Sequence, residues 1–158
     1  MAHRIISNEA DLAALVTLLA NLKLPVTVEW QQGRDRSLDQ NRLQFLWARE
    51  ASEQRGDMTA DEVRCEWKLI FGVPILREES PEFRDVYDAA IKPLPYELKL
   101  KAMRFIPVTS EMKVSQMVRY LDTVQRDCLE NGIKLTDPEP ELASYQARHR
   151  NTQTKDAA

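Results

Sequence analysis

The chain has 158 residues, of which 43% are hydrophobic and 30% are charged, and its net charge is −3. This length fits one domain with a real hydrophobic core. No apolar run approaches the roughly 18 residues that a membrane-spanning helix needs, and no secretory leader is evident, so we expect a cytoplasmic protein. The acidic balance is unfavourable for binding nucleic acid, so any such site must be a local basic patch.

The few residues suited to metal, redox or nucleophilic chemistry are scattered. Cys65 and Cys128 are far apart and lack metal-ligand spacing, so we expect reduced, partly buried thiols. His3 and His149 lie near opposite ends of the chain, without the neighbours of a triad or metal site. We therefore expect no metal, no cofactor and no catalytic residue, and we interpret the chain as a binding protein and not an enzyme.

Taken in chain order, the hydrophobic periodicity predicts an α+β fold with five or six helices packed on a small β-sheet. A helix is predicted over residues 8–22, with Ser7 or Asn8 as its N-cap. The alternating run Pro25–Gln32 predicts a strand, and Arg104–Val108 predicts a second one.

Capping residues delimit three helices in the middle of the chain. Thr59 and Glu62 have the spacing of a capping box, which opens a helix that Gly72 is expected to end. Ser80-Pro81 favours the start of the next helix, and Tyr96–Met103 can form a short one. Between the first two of these helices, residues 73–76 are expected to be a short strand or an extended loop.

The longest predicted helix begins at Thr109 or Ser110, ends near Asn131 and is closed by Gly132. Its apolar stripe either spans the monomer core or supplies a subunit interface. The stripe consists of Val114, Met117, Val118, Leu121, Val124 and Cys128. We assign residues 1–136 to one domain and residues 137–158 to an acidic proline linker and a weakly ordered tail.

The most informative segment is Arg36–Gln54, which follows a turn signal and is expected to be a helix. Ser37 suits its N-cap, and Gln40 has the spacing of a capping box. Its core stripe is predicted to contain Leu43, Leu46, Trp47 and Ala51. A different face is predicted to contain Leu38, Arg42, Phe45 and Arg49, with Asn41 at its margin.

This second face sets an aromatic ring between two guanidinium groups. Arginines pair with phosphates and rings stack on bases, which are the two contacts that a single-stranded nucleic-acid site uses. The alternative is structural: Phe45 belongs to the core, and the arginines are solvated or paired with Asp39 and Glu53. The residues alone leave both interpretations open.

Four ordered blocks of sequence resemble the phage NinB family. The first is Arg36-Ser-Leu-Asp-Gln-Asn-Arg42, and the others lie at residues 62–68, 109–114 and 132–136. Together they cover most of residues 24–140. The resemblance implies a recombination mediator in the host cytoplasm that binds single-stranded DNA without sequence specificity. It also implies a homodimer that assists recombinase loading on DNA coated with the host single-strand-binding protein.

The DNA-binding set that we predict on this basis combines the basic face of the segment with one later lysine. It comprises Arg36, Gln40, Asn41, Arg42, Phe45, Arg49 and Lys113. Phe45 stands where a tryptophan is implicated in DNA contact within the family, so stacking is preserved. Glu111 stands where a basic residue is found within the family, while Lys113 keeps a positive charge close to that position. Gln40 either contacts DNA or only caps its helix.

Two other functions fit parts of the sequence. A protein-interaction module that contacts the host single-strand-binding protein, with little affinity for DNA, suits the acidic balance. A metal-dependent nuclease needs carboxylates and a lysine, and Pro81-Glu82 with Glu97-Leu98-Lys99 has these residue types. Such residues normally project from adjacent strands, whereas both segments are predicted to be helical here.

Overall fold

Helices account for all the regular structure in the part of the chain that we describe, which is residues 4, 6, 8–29 and 36–156 of a computed structural model. Side chains are described throughout this part except at residues 36–38, 141 and 151–156. The α-helices in these residues are α1 (Glu9–Ala20), α2 (Arg36–Arg55), α3 (Ala60–Trp67), α4 (Val73–Glu79), α5 (Pro81–Ala90), α6 (Tyr96–Ala102), α7 (Val114–Glu130) and α8 (Pro140–Asp156). One turn of π-helix, Lys68–Gly72, joins α3 to α4 and is called the π-turn below. A short 3-10 helix, Thr109–Glu111, precedes α7.

The predicted α+β fold is wrong, because the described residues contain no β-strand. Residues 25–29 have no regular secondary structure, and residues 30–32 of the first predicted strand lie outside the described residues. The second predicted strand, Arg104–Val108, is the turn after α6, where the Arg104 amide donates to the Lys101 carbonyl at 3.2 Å. An alternating sequence forms a strand only beside another strand that completes its hydrogen bonds, and the described residues supply none.

Several predicted helix ends are confirmed. The Asn8 side chain accepts a hydrogen bond from the Asp11 amide at 2.9 Å, and the capping box of Thr59 and Glu62 is present. Ser80 caps α5. Each cap satisfies an amide that the first turn of a helix leaves without a partner.

Three other helix ends differ from the prediction. α2 begins at Arg36, so Ser37 lies inside the helix and is not its N-cap. The helix that was expected to end at Gly72 continues through the π-turn into α4, so residues 73–76 are helical and not extended. α7 begins at Val114, which places Lys113 at its N-cap position in place of Thr109 or Ser110.

The predicted end of α7 is confirmed. Gly132 has φ +74°, and beyond it the Ile133 amide donates to the Cys128 carbonyl at 2.8 Å. A residue in the left-handed region turns the chain back over the last helical carbonyls, and glycine takes this conformation without steric cost.

The main hydrophobic core forms where α2 packs against α3, α7 and α8. Three predicted core residues of α2, Leu43, Trp47 and Ala51, are buried, while Leu46 is only half-buried. The predicted stripe of α7 is also buried, apart from half-buried Val114, and Met117, Leu121, Val124 and Cys128 join this core. The stripe therefore serves the monomer core, which is one of the two alternatives that the sequence left open.

A short segment after α7, Lys134–Thr136, is bonded to the C-terminal half of α2. The Trp47 indole donates to the Thr136 carbonyl at 2.7 Å, and the Thr136 amide donates to the Glu50 carboxylate at 2.9 Å. Gln54 makes two further bonds to the backbone of Lys134, accepting at 2.8 Å and donating at 2.6 Å. These contacts hold the segment on α2 before the chain reaches α8.

The chain divides into two units, Met1–Arg34 and Asp35–Ala158. The second unit contains α2 to α8 and all the predicted DNA-binding residues. Within it, residues 140–156 form α8, in the region that we assigned to a linker and weakly ordered tail, and Leu142 of α8 is buried. Among the described residues, we find no helix with the length and apolar character required to cross a bilayer.

Candidate nucleic-acid interface

The outer face of α2 carries Asn41, Arg42, Phe45 and Arg49, and all four side chains are exposed. Phe45 is 50% exposed, although the opposite side of its own helix is almost fully buried. The structural alternative that placed Phe45 in the core is therefore wrong. Helical periodicity predicted the separation of the two faces correctly, because residues three or four apart lie on the same side of a helix.

An arginine from the neighbouring helix covers part of the Phe45 ring. The guanidinium carbon of Arg64, on α3, lies 3.8 Å from the centroid of this ring. The attraction of a cation for the face of an aromatic ring stabilises such a contact. Arg64 also donates to Asp61 Oδ1 at 3.3 Å, while its buried Nε has no hydrogen-bond partner among the described residues.

The two predicted arginines of this face differ in their electrostatic surroundings. Arg42 lies 3.9 Å from Asp39, in a pair in which the arginine side chain is 64% exposed. The Asp39 side chain is 11% exposed, but the pair is long and water reaches its arginine, so it contributes little. Among the described residues, no carboxylate lies within ion-pair distance of Arg49. Both guanidinium groups are thus accessible to an anionic ligand.

Gln40 does not belong to this exposed face. Its side chain is 1% exposed, so it does not reach a ligand at the surface of α2. Its expected capping role is also wrong, because Ser37, the other half of that capping box, lies inside the helix. Gln40 Nε2 is buried without a hydrogen-bond partner among the described residues.

Burial of polar side chains on α2 continues one turn later at Gln44. This side chain is fully buried, and its Oε1 accepts a hydrogen bond from the Tyr120 hydroxyl at 3.0 Å. Burial raises the pKa of Tyr120, which keeps the phenol protonated as the donor. Gln44 Nε2 also lies 3.5 Å from Asn41 Oδ1, which connects the buried pair to the margin of the exposed face.

The remaining members of the predicted set are less informative. Arg36 begins α2, but its side chain lies outside those described. Lys113 is exposed just before α7, and its amide donates to the Gln116 side chain at 2.8 Å. Among the described residues, no ion pair or ring contact connects Lys113 to the outer face of α2. The geometry therefore brings together Asn41, Arg42, Phe45 and Arg49, and leaves Lys113 on another element.

Sequence reasoning missed Arg64, whose guanidinium group covers part of the Phe45 ring. The only signal was its position in the second block that resembles the NinB family. Nothing in that block indicates that the side chain meets α2, since α2 and α3 are joined by a turn whose geometry decides which faces meet. The contact depends on tertiary packing and not on local spacing.

Both cysteines are free and buried, as predicted. Burial raises the pKa of the Cys128 thiol to about 11 and also raises the pKa of Cys65. These thiols are consequently protonated at neutral pH, and protonated thiols are poor nucleophiles.

The residues that suggested a nuclease lie on separate helices. Glu82 is in the first turn of α5, while Glu97 and Lys99 are on α6. The described side chains include no group of three or more histidine, cysteine or acidic residues arranged to hold a metal ion. The arrangement of paired strands that the nuclease motif requires is missing from this region.

Comparison with known proteins finds no match to a family model, a curated protein or a solved structure. The resemblance to the NinB family rests on the four sequence blocks alone and stays a prediction.

Proposed function

We propose that this protein binds single-stranded DNA without sequence specificity through the outer face of α2. The observation that carries this proposal is the half-exposed Phe45 ring, which shares a helix face with Arg42 and Arg49 and is covered in part by Arg64. The exposed part of the ring leaves apolar surface in water, and stacking on an unpaired base would bury that surface.

The spacing of these groups suits a strand that runs along the helix. Arg42 and Arg49 are seven residues apart, which separates their backbones by roughly 10 Å along the axis, with Phe45 between them. A base stacks on the open part of the Phe45 ring while the flanking guanidinium groups bind phosphates. A duplex hides its base faces, so this site favours single strands, and every base has a face to offer.

The biological role that we propose is that of a recombination mediator in the host cytoplasm. It would assist recombinase loading on DNA coated with the host single-strand-binding protein, and it would act as a homodimer. These expectations come from the resemblance to the NinB family. Because the stripe of α7 is buried in the monomer, it no longer supports the homodimer independently, and light scattering at micromolar concentration is the measurement that decides it.

The proposed binding is tested by titrating labelled single-stranded and double-stranded oligonucleotides of equal length at several salt concentrations. We expect tighter binding to the single strand and an affinity that falls steeply with salt, because phosphate contacts release counterions. Equal affinity for both forms contradicts the stacking account.

The same titration distinguishes the two alternatives. Negligible DNA binding, combined with direct binding to the purified host single-strand-binding protein, favours the protein-interaction module. Cleavage of the oligonucleotide that depends on added Mg²⁺ or Mn²⁺ favours the nuclease.

A further inference from the structure

A second exposed aromatic residue adjoins an arginine in the turn after α6. Phe105 is 83% exposed, and the side chain of Arg104 is 57% exposed. The turn itself is firmly held, because Met103 and Val108 on either side of this pair are fully buried. Arg104 and Phe105 are therefore displayed on an anchored backbone.

The π-turn holds this backbone at two points. The buried Lys68 ammonium donates a hydrogen bond to the Met103 carbonyl. Gly72 packs so closely that a Cβ atom at this position would lie 2.7 Å from Val108 Cγ1. Single π-helical turns within α-helices are frequent at functional sites. Here the π-turn packs against the segment that carries Phe105.

A continuous series of contacts leads from this turn to Phe45. Arg104 Nε lies 3.2 Å from Asp61 Oδ2, and Asp61 Oδ1 lies 3.3 Å from Arg64 Nη1. Arg64 in turn covers the Phe45 ring. Aromatic and guanidinium groups thus line one path across α2, α3 and the turn after α6, with a single carboxylate between the two inner arginines.

The acid at the centre of the path is weakly held. Asp61 and Arg104 are each more than half exposed in their ion pair, and Asp61 also pairs with Arg64, whose side chain is 21% exposed. Pairs in which the acid is this exposed contribute little free energy. Glu62 is another nearby acid, and its pKa is lowered first by hydrogen bonds from Thr59 and least by Arg104. A phosphodiester can therefore replace Asp61 as the partner of these arginines at small cost.

We propose that Arg104 and Phe105 form a second stacking platform for the same single strand, and that Asp61 competes with the phosphates for Arg64 and Arg104. This inference rests on the proposed function and assigns the strand a path that extends beyond α2. The strand then contacts two rings, Phe45 and Phe105, and the phosphates between them displace Asp61 from its two arginines.

The platform is tested by measuring the affinity of Phe105→Ala for an oligothymidine and for an abasic strand of the same length. The abasic strand keeps the phosphates but offers no base face. We expect Phe105→Ala to weaken oligothymidine binding by about fivefold to a hundredfold, and to leave abasic binding unchanged. Leu129→Ala, which truncates another exposed apolar side chain on α7, is the matched control and should alter neither affinity.

The role of the carboxylate is tested by Asp61→Asn, which removes the charge and keeps the shape. We expect up to about fivefold tighter binding at low salt, because two arginines lose their competing partner. Asp57→Asn is the matched control, since Asp57 is also exposed and lies 3.2 Å from an arginine, Arg55, which does not lie on the path. Unchanged or weaker binding by Asp61→Asn, relative to this control, overturns the competition.

The outcomes separate this inference from the function on which it rests. If Phe45→Ala weakens oligothymidine binding while Phe105→Ala behaves like Leu129→Ala, the second platform is wrong and the proposed function stands. If the unaltered protein binds neither strand, both proposals fail. Thermal unfolding of each variant confirms that it is folded, which we expect for Phe105→Ala because this side chain is almost fully exposed.

Discussion

The two sides of α2 differ in a way that residue types do not predict. The inner side buries two glutamines, Gln40 and Gln44, beside Trp47, while the outer side exposes the apolar ring of Phe45. Polar residues are usually exposed and aromatic residues usually buried, so each side contains members that depart from the rule. The departures on the two sides have different physical consequences.

On the inner side, the polar atoms of Gln44 are satisfied within the core by Tyr120 and Asn41. This arrangement makes the position specific, because a buried polar group costs free energy when its partner is removed. On the outer side, Phe45 is covered only in part, by the guanidinium group of Arg64. The hydrogen bonds of Gln44 therefore contribute to the fold, whereas Gln40 Nε2 is buried without a partner among the described residues. The ring on the outer side remains available to a ligand. Four sets of substitutions test this division.

The largest effect is expected from Trp47→Ala on the inner side. The side chain is 1% exposed and its indole donates to Thr136, so truncation leaves a cavity and an unpaired carbonyl. We expect the free energy of unfolding to fall by about 3–5 kcal/mol, measured by urea denaturation. Phe45→Ala is the control on the opposite side and should cost about 1 kcal/mol or less. Equal losses in the two variants would remove the distinction between the sides.

A smaller loss of stability is expected when the buried hydrogen bond between Tyr120 and Gln44 is removed. Tyr120→Phe removes the hydroxyl donor and leaves Gln44 Oε1 without its partner, which we expect to cost about 1–3 kcal/mol. Replacing both groups in Gln44→Leu/Tyr120→Phe should recover part of this loss, because the double variant has neither the hydroxyl donor nor the Gln44 acceptor that it leaves unpaired. Chemical denaturation of the two single variants and the double variant measures the coupling. Strict additivity would show that the two side chains do not act together.

On the outer side, Phe45→Ala should alter binding and not folding. We expect the affinity for single-stranded DNA to weaken by about 1–3 kcal/mol, with the salt dependence almost unchanged, because the ring contributes stacking and no charge. Fluorescence anisotropy at several salt concentrations measures both quantities. If the variant unfolds, the contact between the ring and Arg64 is needed for folding, and the binding site must be sought elsewhere, first around Lys113 and Lys99–Arg104.

The smallest effects are expected from the flanking arginines. Arg42→Ala and Arg49→Ala should each weaken binding and lower the salt slope by nearly one for each phosphate contact that is lost. We expect the smaller change from Arg42→Ala, because Arg42 already has a nearby carboxylate in Asp39. Arg126→Ala, which removes an exposed arginine on α7, is the control. A slope change of the same size in that control would mean that bulk charge, and not the α2 face, governs binding.

Several local features of the fold could be predicted from the sequence, although the caps expected at Ser37 and at Thr109 or Ser110 were wrong. Features that depend on tertiary partners could not be predicted. The caps at Thr59 and Ser80 and the turn at Gly132 were predicted correctly, because a cap is decided by neighbouring residues. The sheet was wrong, because the described residues supply no strand beside either predicted strand. Local sequence indicates which side chains are compatible with a strand, while pairing depends on the rest of the chain.

The candidate site shows the same division. The shared face of Arg42, Phe45 and Arg49 could be predicted, because one helix and its periodicity determine which residues lie on the same side. The exposure of Phe45 could not, since the residues alone left it either exposed or in the core. The position of Arg64 could not be predicted, since it depends on how α3 packs against α2. Gln40 was misplaced for the same reason: its polarity favours a surface position, but the packing of neighbouring helices buries it.

The bonds between α2 and Lys134–Thr136 determine where the chain can be shortened. A chain that stops at Gly132 loses the acceptor of the Trp47 indole and the partners of Glu50 and Gln54. Such a chain also lacks α8, and the loss of Leu142 uncovers part of the core. Residues 137–139 lie between these two attachments, so they are the place where a protease can cut without breaking either one, and where an inserted sequence is best tolerated.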